Sequence, residues 1–96
     1  MGRRRMKGKT EAARSVDYLL YDLCVRKWGF CNRLTAEQLF RTHPILTADL
    51  FTRAVLEAEG MDPDTEETWF KRIRGYFLEK FGPAISSTPI PPQPSA

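Results

Sequence analysis

The segment over residues 15–28, SVDYLLYDLCVRKW, constrains the fold most, because it predicts one helix with apolar side chains on two opposite faces. At 100° per residue, one apolar stripe consists of Val16, Leu19, Leu20 and Leu23. The second stripe, on the far side, consists of Tyr18, Tyr21 and Val25, with Trp28 near its edge. A helix in a chain of 96 residues needs only one such stripe to join a core. The second stripe must therefore meet another helix of the chain or a partner.

The composition predicts one small folded domain with a basic arm. A hydrophobic content of 42% is sufficient for a core in a chain of this length. The net charge of +3 is unevenly distributed, since residues 1–14 alone carry +5 and the remainder is mildly acidic. We therefore expect residues 1–9 to form a flexible basic arm, followed by a helical domain over residues 10–82.

Capping signals divide the helical domain into four helices and predict no strand. The first helix begins after Thr10 or Ser15, and Gly29 ends it with a left-handed residue. Thr35 and Thr47 are the N-caps of two short helices, and Gln38 completes a capping box with Thr35. The fold class is therefore all-α, a compact domain with one long N-terminal helix, two short capped helices and one long aromatic-rich helix.

The fourth helix is expected to begin at Asp62–Pro63 and to end at Gly82–Pro83, because Pro suits the first helical position and Gly suits the end. Residues 83–96 contain five prolines and no charged side chain, which predicts a disordered, Pro-rich tail. The tail carries the motifs Pro89-x-x-Pro92 and Pro91-x-x-Pro94. No Arg or Lys lies nearby to orient such a ligand, so we expect no role for the tail.

Residues that support catalysis or metal binding are sparse, so we expect no enzyme, no cofactor and no metal. The single histidine, His43, precedes a proline, and no Ser or Cys has a candidate base at a motif spacing. Cys24, Cys31 and His43 supply three ligands at wide spacings, whereas structural zinc takes four. The sequence contains no apolar run of about 20 residues and no secretion signal, so we expect a cytoplasmic protein with reduced thiols and no membrane contact.

The leading functional hypothesis is a small, non-enzymatic interaction module that binds a protein partner or forms a homodimer, with a regulatory role. We expect the first helix to lie at the centre of the bundle, between the fourth helix and the two short ones. If the short helices leave its second stripe uncovered, that stripe becomes the interface. The protein-interface candidates are Tyr18, Tyr21, Val25 and Trp28.

The alternative hypothesis is a nucleic-acid-binding regulator. Residues 35–60 have the spacing of a helix-turn-helix, a short capped helix followed by a turn and a longer helix. In the order and length of these elements they resemble the core of winged-helix regulators, although no wing is predicted after them. The basic arm suits phosphate contacts. The nucleic-acid candidates are Arg3, Arg4, Arg5, Lys7, Lys9, Arg53, Lys71, Arg72 and Arg74.

Overall fold

A computed structural model describes residues 10–29 and 34–87, and its architecture confirms the four-helix fold. Within these ranges the chain forms four α-helices, a π-helical turn that continues the first helix, and a two-stranded sheet. The α-helices are α1 (Glu11–Tyr21), α2 (Ala36–Thr42), α3 (Ala48–Ala58) and α4 (Glu67–Phe81). The π-helical turn is Asp22–Lys27, and the strands are β1 (Ile45–Thr47) and β2 (Ala84–Ser86).

The first helix begins at Thr10, one of its two predicted caps, and Gly29 follows its end as predicted. The Thr10 hydroxyl accepts a hydrogen bond from the Ala13 amide at 3.1 Å. After Tyr21 the helix widens, and the Trp28 amide donates to the Leu23 carbonyl at 3.2 Å, five residues back. Gly29 follows with φ of +68°, a conformation that glycine adopts at low cost.

Both predicted threonine caps are present at the starts of α2 and α3. Thr35 accepts from the Gln38 amide at 3.2 Å, while the Gln38 side chain accepts from the Thr35 amide at 2.9 Å, which completes the capping box. Thr47 accepts from the Leu50 amide at 3.1 Å. The local sequence therefore sets the beginnings of both short helices.

The expected start of the fourth helix at Asp62–Pro63 is wrong, because α4 begins at Glu67. The Asp62 side chain caps a separate turn instead, accepting from the Asp64 amide at 3.0 Å. Glu66 then has φ of −92° and ψ of +64°, which takes the backbone out of the helical region before α4 begins. Asp62 thus stabilises a turn ahead of α4 rather than the start of the helix itself.

The expectation of no strand is also wrong, and ordered structure continues past the predicted boundary at residue 82. Strands β1 and β2 pair antiparallel, with Leu46 opposite Ile85. The Ala48 amide donates to the Pro83 carbonyl at 3.1 Å, and the Ser87 amide donates to the Pro44 carbonyl at 2.9 Å. This short sheet joins the start of α3 to the chain that follows α4, with Leu46 fully buried beneath it.

All four helices contribute buried side chains to the core, and α1 does so with one face. The rings of Phe51 and Phe77 lie 5.0 Å apart, and both side chains are fully buried. The first stripe of α1 is buried as predicted, through Val16, Leu19, Leu20 and Leu23. The expected position of α1 at the centre of the bundle is wrong. Helix α2 has only seven residues and α3 packs against α4, so the described residues leave the second stripe of α1 exposed.

Candidate functional site

The most prominent apolar surface within the described ranges is the second stripe of α1 and its π-helical continuation. Tyr18 is 56% exposed, Tyr21 is 53% exposed and Val25 is 59% exposed. We call these three residues the α1 aromatic face. The spacing of three and then four residues aligns them along one side of the helix. Large side chains that a folded domain leaves exposed together are typical of interaction surfaces.

Arg26 holds the α1 aromatic face in a defined arrangement. Its Nη1 atom donates a hydrogen bond to the Tyr18 hydroxyl at 3.3 Å, and its Nε atom lies 3.4 Å from Oδ1 of Asp22. The rings of Tyr18 and Tyr21 stack with centroids 6.3 Å apart and an angle of 28° between their planes. The guanidinium therefore connects an exposed tyrosine to a buried carboxylate on the same helix.

Trp28 does not belong to the exposed face on which the sequence placed it. Its ring meets that of Trp69 edge-on at 5.3 Å and that of Tyr76 at 6.1 Å, and the side chain is half-buried. The wider π-helical turn explains the difference, because an extra residue rotates the side chains that follow by about 100°. Trp28 therefore packs against α4 instead of extending the α1 aromatic face.

A buried carboxylate lies beneath this packing. Asp22 is buried, and the Tyr76 hydroxyl donates a hydrogen bond to its Oδ2 atom, while Oδ1 has no hydrogen-bond partner among the described residues. Burial raises the pKa of Tyr76 to about 12, and the hydrogen bond to Asp22 and its negative charge act in the same direction. Lys27 and Lys80 place their Nζ atoms 4.7 Å and 5.6 Å from the Tyr76 ring centre. This cluster fixes the π-helical turn against α4.

A groove extends the α1 aromatic face towards the end of α4. It has a volume of about 340 Å³, and Tyr18, Leu19 and Phe81 provide its apolar surface. The charged side chains along it are Glu11, Arg14 and Lys80. We call this hollow the α1–α4 groove. Tyr18 belongs to both the groove and the α1 aromatic face, so the two form one continuous surface.

A second hollow borders the α1–α4 groove near the start of α1. It measures about 320 Å³ and is lined by Thr10, Glu11, Ala12, Ser15, Ile85 and Ser86. Glu11 and Ser15 also line the α1–α4 groove, so the two hollows share a wall. Strand β2 therefore brings the C-terminal end of the described chain beside the groove.

Two of the four described nucleic-acid candidates are engaged in ion pairs. Arg53 lies 3.1 Å from Asp64, and Arg74 lies 2.6 Å from Asp49. The Arg72 guanidinium stacks 5.3 Å from the Trp69 ring centre, and Lys71 is exposed. Arg3, Arg4, Arg5, Lys7 and Lys9 lie outside the described residues. The structure thus distributes the described cations around the domain and brings no cationic stripe together on α3.

The residues considered for metal binding are not brought together where they are described. Cys24 is a half-buried free thiol, His43 is half-buried, and Cys31 lies outside the described residues. Over residues 10–29 and 34–87, the structure contains no group of three or more His, Cys, Asp or Glu side chains that is able to hold a metal ion.

Sequence reasoning identified the three residues of the α1 aromatic face but missed the residues around it. Arg26 carries a local signal, because it follows Asp22 by four residues on a helix. Phe81 and Lys80 reach the groove only through the packing of α4 against α1, for which the sequence offers no local signal. Ile45, 62% exposed on β1, was missed because no strand was expected.

No protein-family model, no curated protein and no solved structure matches the chain. Among the helices in the described part of the chain, none combines the length and the apolar content that crossing a membrane requires.

Proposed function

We propose that this protein is a small, non-enzymatic interaction module whose α1 aromatic face binds a protein partner or a second copy of the chain. The observation that carries the proposal is the exposure of Tyr18, Tyr21 and Val25, each more than half accessible on one side of a helix whose other side is buried. A regulatory role in the cytoplasm is part of the same proposal.

The chemistry of the face suits protein binding. Tyrosine contributes a large contact area with few rotatable bonds, and it is enriched among the residues that contribute most to binding energy. Arg26 already fixes the Tyr18 hydroxyl at 3.3 Å, so less side-chain freedom is lost when a partner docks. The face therefore combines apolar area with prior ordering, as binding surfaces require.

The alternative of nucleic-acid binding has less support from the described residues. Arg53 and Arg74 already neutralise Asp64 and Asp49, and a phosphate would have to compete with these carboxylates. Salt-dependent binding of a labelled DNA duplex that disappears on deletion of residues 1–9 would favour this alternative over our proposal.

Site-directed photo-crosslinking tests the proposal. A photoreactive phenylalanine analogue at position 21 is expected to form adducts in cells with one defined protein or with a second copy of the chain. The same analogue at position 45 is the matched control, because Ile45 is a similarly exposed apolar residue on a different element. Adducts identified by mass spectrometry then name the partner.

The substitutions Tyr18→Ser and Val25→Ser, made together, are expected to abolish the adducts at position 21, because they remove the apolar area on both sides of it. Sedimentation velocity on the same proteins measures self-association directly. Equal adduct patterns from positions 21 and 45, together with a monomeric mass at all concentrations, would contradict the proposal.

A further inference from the structure

We propose that the α1–α4 groove binds a proline-rich segment in the extended polyproline II conformation, and that its occupant is residues 88–92 of the same chain. This inference rests on the proposed function in one respect, since Tyr18 belongs to both the groove and the α1 aromatic face.

The surface of the groove matches the chemistry of such a ligand. Polyproline II segments dock into grooves lined by aromatic side chains, because the preformed extended helix loses little entropy on binding. Tyr18 and Phe81 supply aromatic surface in the α1–α4 groove, and Tyr21 stacks beside Tyr18 at 6.3 Å. The segment 88–92 reads TPIPP, with the prolines of Pro89-x-x-Pro92 three residues apart. Three residues make one turn of polyproline II, so these two prolines lie on one edge of it.

The absence of charge in the segment agrees with the charges around the groove. Arg14 and Lys80 line it together with Glu11, so the two positive charges outnumber the one negative charge and do not favour a ligand with the usual flanking Arg or Lys. Residues 83–96 contain no charged side chain. In other polyproline II complexes the flanking cation fixes the direction of the ligand, whereas here the covalent connection at Ser87 performs that role.

The described chain ends within reach of the groove. Ser86 and Ser15 line the same hollow, and Ser15 also lines the α1–α4 groove. From Ser15 to Tyr21 the helix rises about 9 Å, whereas five residues of polyproline II extend about 15 Å. A segment of that length that starts beside Ser15 is therefore long enough to pass Tyr18. Of the two motifs, Pro89-x-x-Pro92 lies nearer to this attachment point.

Covalent attachment makes weak contacts sufficient. A segment tethered by a short linker has an effective concentration of the order of millimolar at its site, so an affinity typical of polyproline II ligands leaves the groove largely filled. A partner that uses Tyr18 must displace the segment. The tail therefore acts as a competitor for the interaction surface, rather than as the idle segment that the sequence indicated.

Nuclear Overhauser spectroscopy on the full chain tests the inference. We expect cross-peaks between the Tyr18 ring protons and the side chains of Pro89 and Pro92, with upfield ring-current shifts of those proline resonances. The double substitution Pro89→Ser and Pro92→Ser is expected to abolish them and to shift the Tyr18 resonances. The matched control Pro94→Ser, outside the proposed segment, is expected to leave the Tyr18 resonances unchanged.

Mixing labelled with unlabelled chains separates a contact within one molecule from a contact between two. Cross-peaks within one chain support the inference, whereas their absence, or cross-peaks between chains only, would overturn it. Photo-crosslinking at position 21 reports on the proposed function separately. Adducts there without proline–tyrosine cross-peaks refute the tail as occupant and keep the interaction surface. Cross-peaks in the full chain, with no adducts at position 21 even when Pro89→Ser and Pro92→Ser remove the competing segment, refute the interaction module and keep the tail in its groove.

Discussion

Replacing Tyr76 by Phe isolates the contribution of one hydrogen bond to the packing of the π-helical turn against α4. The change removes the donor to Oδ2 of Asp22, while the ring contact with Trp28 at 6.1 Å remains. Asp22 is 7% exposed, and within the described part of the chain its Oδ1 atom already has no hydrogen-bond partner, so of its described partners the carboxylate would retain Arg26 at 3.4 Å. A hydrogen bond to a charged group contributes about 1.5–3 kcal/mol. We expect the free energy of unfolding to fall by about 2 kcal/mol.

Urea denaturation followed by tryptophan fluorescence measures this loss, because Trp28 and Trp69 lie in the affected cluster. In a domain of this size each kcal/mol corresponds to about 4–8 °C in Tm, so thermal unfolding provides a second reading. The control is Tyr21→Phe, a change at an exposed tyrosine, for which we expect less than about 0.5 kcal/mol. If Tyr76→Phe also costs less than about 0.5 kcal/mol, Asp22 does not depend on this donor and the reasoning is refuted.

Two further predictions concern pH and capping. The pKa of Tyr76 is raised from 10.0 to about 12, so the folded state favours the neutral phenol. This stabilisation is complete below pH 10 and is lost as the pH rises from 10 towards 12. We expect wild type to lose about 1–2 kcal/mol more than Tyr76→Phe across that interval in alkaline urea titrations, since water screens part of the interaction; parallel profiles would contradict this. Thr35→Ala removes the hydroxyl that accepts from Gln38 and is expected to cost about 1 kcal/mol, measured against Thr42→Ala at the exposed end of α2. Equal losses from the two threonine variants would show that the capping box contributes nothing measurable.

Local signals in the sequence predicted most of the helical structure. Thr10, Thr35 and Thr47 act as caps because a short hydroxyl side chain satisfies an amide that the helix leaves unpaired, and this depends only on neighbouring residues. The burial of the first stripe of α1 followed from helical periodicity alone. The sequence also identified the exposed stripe, although whether it would be covered depended on the lengths of other elements.

Features that depend on distant residues were not predictable in this way. Strand β2 forms because Ala84–Ser86 pairs with Ile45–Thr47, nearly forty residues earlier, and neither tripeptide carries a strand pattern of its own. The α1–α4 groove likewise depends on where Phe81 meets Tyr18. The predicted start of α4 at Asp62–Pro63 was wrong for a different reason, because Asp caps turns as readily as helices. The non-helical backbone of Glu66 then separates the turn at Asp62 from the start of α4.

The π-helical turn Asp22–Lys27 determines on which side of the first helix Trp28 lies. Such a turn is equivalent to one residue inserted into an α-helix, so the residues that follow it keep the positions that a segment shorter by one residue would give them. With regular α-helical bonding throughout, Trp28 would follow Tyr21 by about two turns and lie nearly in line with it. The turn instead places the indole about 100° away, against Trp69. A single inserted residue thus keeps for the stability of the domain a tryptophan that regular bonding would offer to a partner.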